Sequence, residues 1–210
     1  MKIVHIVYGL EFGGIETMLV NIVNEQVKTG NEISVVIINN TINNNLYSAI
    51  DNRVKVYCLG RPVGSKNPYY ILKFNYRINK ISPDIIHIHT PSIIRYFLPF
   101  VKYKMCVTKH DVHKEQENRF LSKYSHIYSI STSVKDYLLS ATGVKSKVIY
   151  NGIDIDGILS KNRPYSPDKV FKLVQVGRLY HPVKGQDVLI EAVKIIKLKG
   201  GDVHLYLIGD

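Results

Sequence analysis

Short apolar runs alternate with helical patterns from one end of the chain to the other, and this alternation restricts the fold more than any other feature. The runs fall at residues 3–7, 33–38, 54–58, 85–89, 105–108 and 127–130. Short, nearly continuous apolar segments suit strands buried on both faces, and helices between them imply a parallel sheet. Between the first two runs, Ile15, Met18, Leu19, Ile22, Val23 and Val27 recur at helical spacing. Gly30 follows where a left-handed helix cap is expected. Further helices are predicted at 70–81, 93–102 and 134–139, the last preceded by the capping residues Ser131, Thr132 and Ser133. The polar stretch 39–45 reads as a surface loop.

The periodic pattern gives way at 154–168 to glycine, proline, serine and charge, which marks a linker. Beyond it come a strand at 172–176, a glycine turn with basic residues, a helix at 188–198 and a strand at 203–208. The fold class expected is α/β: a Rossmann-like parallel sheet with helices on both faces, followed by a truncated second Rossmann-like domain. The domains are expected at 1–165 and 166–210.

Hydrophobic residues at 45% and charged residues at 21% are ordinary globular values and exclude disorder and fibrous classes. Cys58 and Cys106 have neither the number nor the spacing of a disulfide or zinc framework and read as buried reduced thiols. The first eight residues read as a strand and not a signal peptide, because His5 interrupts them and no small-residue cleavage site follows. No apolar run approaches the roughly 20 residues that span a bilayer, so a cytoplasmic protein is expected.

Net charge is the compositional outlier, at +11. Between Arg61 and Lys109 the chain carries Lys66, Lys73, Arg77, Lys80, Arg95, Lys102 and Lys104 as well, against one acid, Asp84. Lys73, Arg77 and Lys80 share a helical face, Ile71, Phe74, Ile78 and Ile81 line another, and Tyr69, Tyr70 and Tyr76 flank both. Such a helix suits an anionic membrane surface or an acidic lipid-linked substrate, or else is the solvated face of an ordinary packed helix. The basic residues join no helix-turn-helix, zinc or ribonucleoprotein signature, so nucleic acid is not the expected partner.

Gly9, Gly13 and Gly14 lie between the first strand and its helix, where glycines let a backbone approach a phosphate at a helix N-terminus, or simply make a tight turn. The spacing departs from GxGxxG, and the second strand ends in Ile38, Asn39 and Asn40 without the acid that holds a dinucleotide ribose. His87, His89, Lys109, His110, Asp111 and His113 fall near the carboxyl ends of two strands, where open α/β sheets place ligands. His87 and His89 suggest zinc by spacing, but His87 sits inside an apolar run and reads as a core histidine; no metal is expected. In the second domain Arg178 and Lys184 bracket a turn that ends in Gly185, a pairing suited to clamping a diphosphate.

Six segments in order resemble the family 4 glycosyltransferases. They are Gly13-Gly14-Ile15-Glu16, Pro83-Asp84-Ile85-Ile86-His87-Ile88-His89, Thr108-Lys109-His110-Asp111, Ile130-Ser131-Thr132-Ser133, Val148-Ile149-Tyr150-Asn151-Gly152-Ile153-Asp154, and Val176-Gly177-Arg178-Leu179 with Lys184-Gly185. The resemblance implies the GT-B arrangement of two Rossmann-like domains across a cleft. It implies transfer of a sugar from a nucleotide-sugar donor to a hydroxyl of a glycan or lipid-linked acceptor, usually with retention and without a cofactor or metal. By resemblance Gly13 and Gly14 form the loop that touches the donor diphosphate, Arg178 and Lys184 neutralise it, and His110 lies beside the donor sugar as the catalytic-site histidine. Polysaccharide, lipopolysaccharide or capsule assembly at the inner face of a membrane is the expected setting. The family's donor domain continues into two glutamates that hold the sugar and ribose; the sequence ends before them, and the 210-residue chain is expected to be inactive alone. Two alternatives remain open: an acceptor-binding half of a split enzyme or scaffold, and a nucleotide-sugar epimerase of the same architecture.

Overall fold

The computed structural model describes residues 1–99, 103–112, 115–153, 155 and 170–209. The chain divides into two compact units, Met1–Ile158 and Leu159–Asp210. The predicted boundary at 165/166, most of the linker at 154–168, and His113 and Lys102 lie outside the described residues.

The first unit is built on seven parallel strands: β1 (Lys2–Val7), β2 (Glu32–Asn39), β3 (Lys55–Arg61), β4 (Ile85–Ile88), β5 (Lys104–Lys109), β6 (His126–Ser129) and β7 (Lys147–Val148). Their order is β3-β2-β1-β4-β5-β6-β7. The chain starts in the middle, runs to one edge, then returns past β1 to fill the other side. The order therefore reverses between β1 and β4, the kind of point where doubly wound sheets bind ligands.

Side-chain alternation sends successive residues to opposite faces, and both faces are covered. Val4 and Ile6 of β1 join one cluster with Phe74 and Ile78 of helix α3 (Tyr69–Ile81) and Leu138 of helix α5 (Thr132–Thr142). Ile3 and Val7 join the other with Leu19, Val20, Val23 and Val27 of helix α1 (Gly14–Lys28) and Leu46 of helix α2 (Asn44–Ser48). Thr29 ends α1 and Gly30 follows at φ +77, the left-handed turn the sequence anticipates. Ser131 caps α5 by accepting from the Val134 amide at 3.2 Å, and Gly143 closes it at φ +70.

In the first unit three expectations change. Residues 93–102 were predicted as a helix, but the chain forms a 3₁₀ helix at Pro91–Tyr96 and leaves it at Phe97 in an extended conformation (φ −79, ψ 132). Pro99 disfavours helix in the residue before it, and the Asn75 side chain captures the chain end: it donates to the Tyr96 carbonyl at 2.7 Å and accepts from the Leu98 amide at 3.1 Å. The loop expected at 39–45 starts as the last, buried residue of β2 and ends in α2, whose first amides bond to Asn43. Neither cysteine is fully buried; both are free, and Cys58 is exposed because β3 is an edge strand.

The second unit is one βαβ step. Strands β8 (Phe171–Val176) and β9 (Val203–Ile208) pair in parallel, and helix α7 (Gln186–Leu198) connects them. A short helix, α6 (His181–Lys184), occupies what the sequence reads as a turn; Pro182 fits its first turn and Gly185 at φ +66 ends it. Val193 and Val203 are buried between helix and sheet, whereas Val174, Val176, Tyr206 and Ile208 are exposed on the sheet's other face. No helix among the described residues is long and apolar enough to cross a membrane.

Candidate functional site

The carboxyl edge of the seven-stranded sheet gathers the polar residues. At β1 the chain passes through Gly9 to the N-cap Gly13, which is extended at φ −168, and enters α1 at Gly14. Packing explains the first of these glycines and not the last. A Cβ on Gly9 would lie 2.3 Å from Thr41 Oγ1 and 3.3 Å from the Thr41 carbonyl, while a Cβ on Gly14 would meet nothing within 4 Å. Gly14 therefore faces open space at the first turn of α1, where the helix amides favour an anion.

Imidazoles from three neighbouring strands, β1, β4 and β5, meet on one face of the sheet. His5 of β1 is the register partner of His87 of β4. His5 Nδ1 lies 3.1 Å from His89 Nε2, and His5 Nε2 lies 2.7 Å from Gln26 Oε1 on α1. His89 Nδ1 lies 3.4 Å from His110 Nε2, at the end of β5. His87 Nε2 bonds instead to Thr108 Oγ1 at 2.8 Å. Burial disfavours the charged ring in all three strand histidines. It lowers the pKa of His5 to about 4 despite the bond to Gln26, and pushes His87 and His89 well below the ordinary value, with the neighbouring imidazoles adding to the effect. These rings are neutral at pH 7.

Nitrogens of His5, His87 and His89 lie within 4.8 Å of one another, close enough to surround a cation. Both ring nitrogens of His5 and both of His89 also lie within hydrogen-bond distance of polar neighbours. At the end of β5, Lys109 is 2% exposed and forms an ion pair with Asp111 at 3.2 Å, which compensates the buried ammonium.

On the opposite face of the same edge, the Tyr8 hydroxyl donates to Ser92 Oγ at 3.2 Å, and Ser92 in turn donates to Glu117 at 3.0 Å. Arg61 donates to Asn39 Oδ1 at 2.9 Å and to the Ser65 carbonyl, with its guanidinium 5.8 Å from the Tyr96 ring centre. Sequence reasoning missed Tyr8, Ser92, Glu117 and Gln26. Only Gln26 leaves a trace, as a polar residue on the apolar stripe of α1, three positions after Val23.

In the second unit, Arg178 and Lys184 are exposed on the segment between β8 and α7. Their backbone is held firmly: Gln186 donates to the Arg178 carbonyl at 2.9 Å and Gln175 to the Lys184 carbonyl at 2.8 Å. The sequence-predicted clamp is thus presented by a stitched loop. On α3 the three basic residues differ. Lys73 donates to the Leu59 carbonyl at 2.7 Å and Arg77 stacks 4.4 Å from the Tyr57 ring centre, so both are tied to β3. Lys80 is exposed, as are Tyr69, Leu72 and Tyr76.

A parallel Rossmann-like sheet with a glycine loop and histidines at its carboxyl edge, and a second βαβ step with two exposed basic residues, define a doubly wound α/β protein. The sequence model of Glycosyltransferase Family 4 matches residues 12–156, well over half of the chain, and the chain belongs to that family. The matched span contains Gly13, Gly14, His110 and α3 but not Arg178 or Lys184. Among solved structures, the fold is similar to that of Anabaena Alr3699/HepE in complex with UDP and glucose, at 18% identity and TM-score 0.68, covering 99% of this chain and 60% of that one. It is similar to the apo lipopolysaccharide outer core galactosyltransferase WaaB at 18% identity and TM-score 0.65, covering 100% and 69%. It is similar to TarM at 11% identity and TM-score 0.72, covering 100% and 72%. At these identities the likeness is one of fold, and the chain spans 60% of the HepE chain. Comparison with curated proteins gave no match.

Proposed function

We propose that this protein transfers a sugar, with retention, from a nucleotide-sugar donor to a hydroxyl of a glycan or lipid-linked acceptor in cell-surface polysaccharide synthesis. The observation that carries the reading is the placement, in a family 4 member, of Gly14 and His110 at the carboxyl edge of one parallel sheet, with Gly14 facing open space. The Gly13–Gly14 turn contributes helix amides to the donor diphosphate, and His110 bonds a hydroxyl of the donor sugar. In the second unit Arg178 and Lys184 neutralise the negative charge that grows on the departing diphosphate, an electrostatic contribution that needs no resident metal or cofactor. That HepE was solved with UDP and glucose supports a uridine nucleotide as the first donor to try.

The setting proposed is the inner face of a membrane, with α3 as the contact. Its exposed Tyr69, Leu72, Tyr76 and Lys80 form the outer face, and Lys73 and Arg77 add positive charge behind it. Charge reversal at Lys73, Arg77 and Lys80 should release the protein from anionic vesicles; unchanged binding would remove the membrane from the account.

Calorimetric titration with UDP-glucose, UDP-galactose and UDP-N-acetylglucosamine, with product analysis, tests the main reading. At least one donor should bind saturably. Arg178→Ala and Lys184→Ala should each weaken it by roughly ten- to a hundredfold, the loss of one charge-assisted hydrogen bond. A donor that is epimerised rather than transferred, or binding that ignores both substitutions, contradicts the proposal.

A further inference from the structure

The two-residue repeat of a strand and the register of the sheet together bring three imidazoles to one place. His5 of β1 is paired with His87 of β4, and His89 follows two residues on, so all three project from the face that α1 covers. His5 stands between Ile3 and Val7, which belong to the apolar cluster beneath α1, and His5 and His89 are 0% and 2% exposed. Ring centres lie 5.0 Å apart for His5 and His87, 5.4 Å for His5 and His89, and 4.4 Å for His87 and His89. Among the described residues no other three histidines, cysteines or carboxylates gather as closely.

Each ring turns one nitrogen outwards to a polar neighbour. His5 Nε2 meets Gln26 Oε1 at 2.7 Å, His87 Nε2 meets Thr108 Oγ1 at 2.8 Å, and His89 Nδ1 lies 3.4 Å from His110 Nε2. The remaining nitrogens are His5 Nδ1, His89 Nε2 and His87 Nδ1, and the first two are 3.1 Å apart. Two nitrogens bound to one tetrahedral zinc at about 2.0–2.1 Å stand about 3.3 Å from each other, so this pair has the spacing of two ligands. One nitrogen of each ring lies within 4.8 Å of the others; His87, the least buried of the three, closes the remaining gap and marks the way in. A metal-binding imidazole holds its second N–H on an outer acceptor, which fixes its tautomer and its orientation. Gln26 and Thr108 are placed to do this, and they come from α1 and β5.

We propose that His5, His87 and His89 form a divalent-metal site of the zinc class, with His5 Nδ1, His87 Nδ1 and His89 Nε2 as ligands and Gln26 and Thr108 as their outer partners. Imidazole is a ligand that zinc favours, and three of them leave the fourth tetrahedral position to a solvent molecule. No proton has to leave, because each neutral ring binds through a lone pair. The one rearrangement falls at the 3.1 Å contact, where the shared hydrogen gives way to the ion and His89 carries its proton on Nδ1. The ion joins β1 to β4 and, through Gln26, to α1, so its role is structural. The sugar-transfer reading neither needs it nor depends on it.

The full chain, stripped of metal by dialysis against a chelator, is titrated with zinc in competition with a chromophoric chelator, and X-ray absorption is recorded on the zinc-loaded protein. One equivalent should bind, the spectrum should show three imidazole nitrogens at about 2.0–2.1 Å, and the thermal midpoint should rise with zinc. Gln26→Leu should weaken binding roughly ten- to a hundredfold, the usual cost of losing an outer partner, and His87→Ala should weaken it by more. His126→Ala, His181→Ala and His204→Ala, all at exposed positions, should change nothing. Zinc held only at exposed histidines, less than one equivalent bound, a spectrum without three imidazoles, or an affinity indifferent to His87→Ala would each overturn the proposal. The stoichiometry and the spectrum are read on the unsubstituted chain, so they decide the matter even if a variant fails to fold.

Discussion

At the scale of single residues, the site separates groups the fold needs from groups it does not. Gly14 is the clearest case, because no atom lies within 4 Å of where its Cβ would be and its conformation does not require glycine. Gly14→Ala should leave the thermal midpoint unchanged or slightly raised, since alanine is the better helix former, while weakening donor binding by crowding the diphosphate. Thermal melts paired with donor titrations check this, and equal losses in both would return the glycine to a packing role. The buried histidines give a second prediction. His5 has a folded pKa of about 4, below the ordinary 6.5, so at pH under 6.5 the unfolded chain takes up a proton that the folded chain refuses. The stability from the neutral ring is complete above pH 6.5 and lost as pH falls towards 4. It amounts to about 3 kcal/mol for His5, with His87 and His89 acting in the same direction. The urea midpoint should therefore fall between pH 6.5 and 5, before Glu32 and Asp51, whose pKa values are lowered by Lys55 and Arg53, begin to lose their own contribution.

At the scale of elements, the joint between α3 and the 3₁₀ helix hangs on Asn75, a buried side chain whose amide bonds Ile71, Tyr96 and Leu98. Asn75→Ala removes the partner of the part-buried Tyr96 carbonyl and Leu98 amide and should cost about 1 to 3 kcal/mol by urea denaturation. Ser131→Ala, which removes only the side-chain cap of α5, should cost about 1 kcal/mol. The sequence was legible where a pattern was long enough to show its period. The strand at 203–208 is observed as Val203–Ile208, and α1 follows its apolar stripe. It was not legible in α2, α4 (Glu115–Asn118) and β7, which are too short to carry a period, or at 93–102, where Asn75 and Pro99 override apolar content. The site divides in the same way. Gly14 and His110 could be placed from motifs near strand ends, but Tyr8, Ser92 and Glu117 meet through contacts 84 and 25 residues apart, for which a linear pattern gives no sign.

At the scale of the whole molecule, the two units carry unequal cores. Both large apolar clusters lie in the first unit, whereas only Gln186, Val193 and Val203 are buried among the described residues of the second. Hydrogen exchange should protect the amides of β1, β2 and β4 more than those of β8 and β9 by roughly two orders of magnitude or more; equal protection would mean that the units fold as one. The functional account assigns Gly14, against the diphosphate, and His110, beside the sugar, to the well-packed unit and the cations Arg178 and Lys184 to the other. Chemical-shift mapping of the labelled protein with a bound UDP-sugar tests that assignment most directly. The account predicts that the largest shifts fall on Gly13, Gly14, His110, Arg178 and Lys184; shifts that leave His110 and the Gly13–Gly14 turn untouched would contradict it.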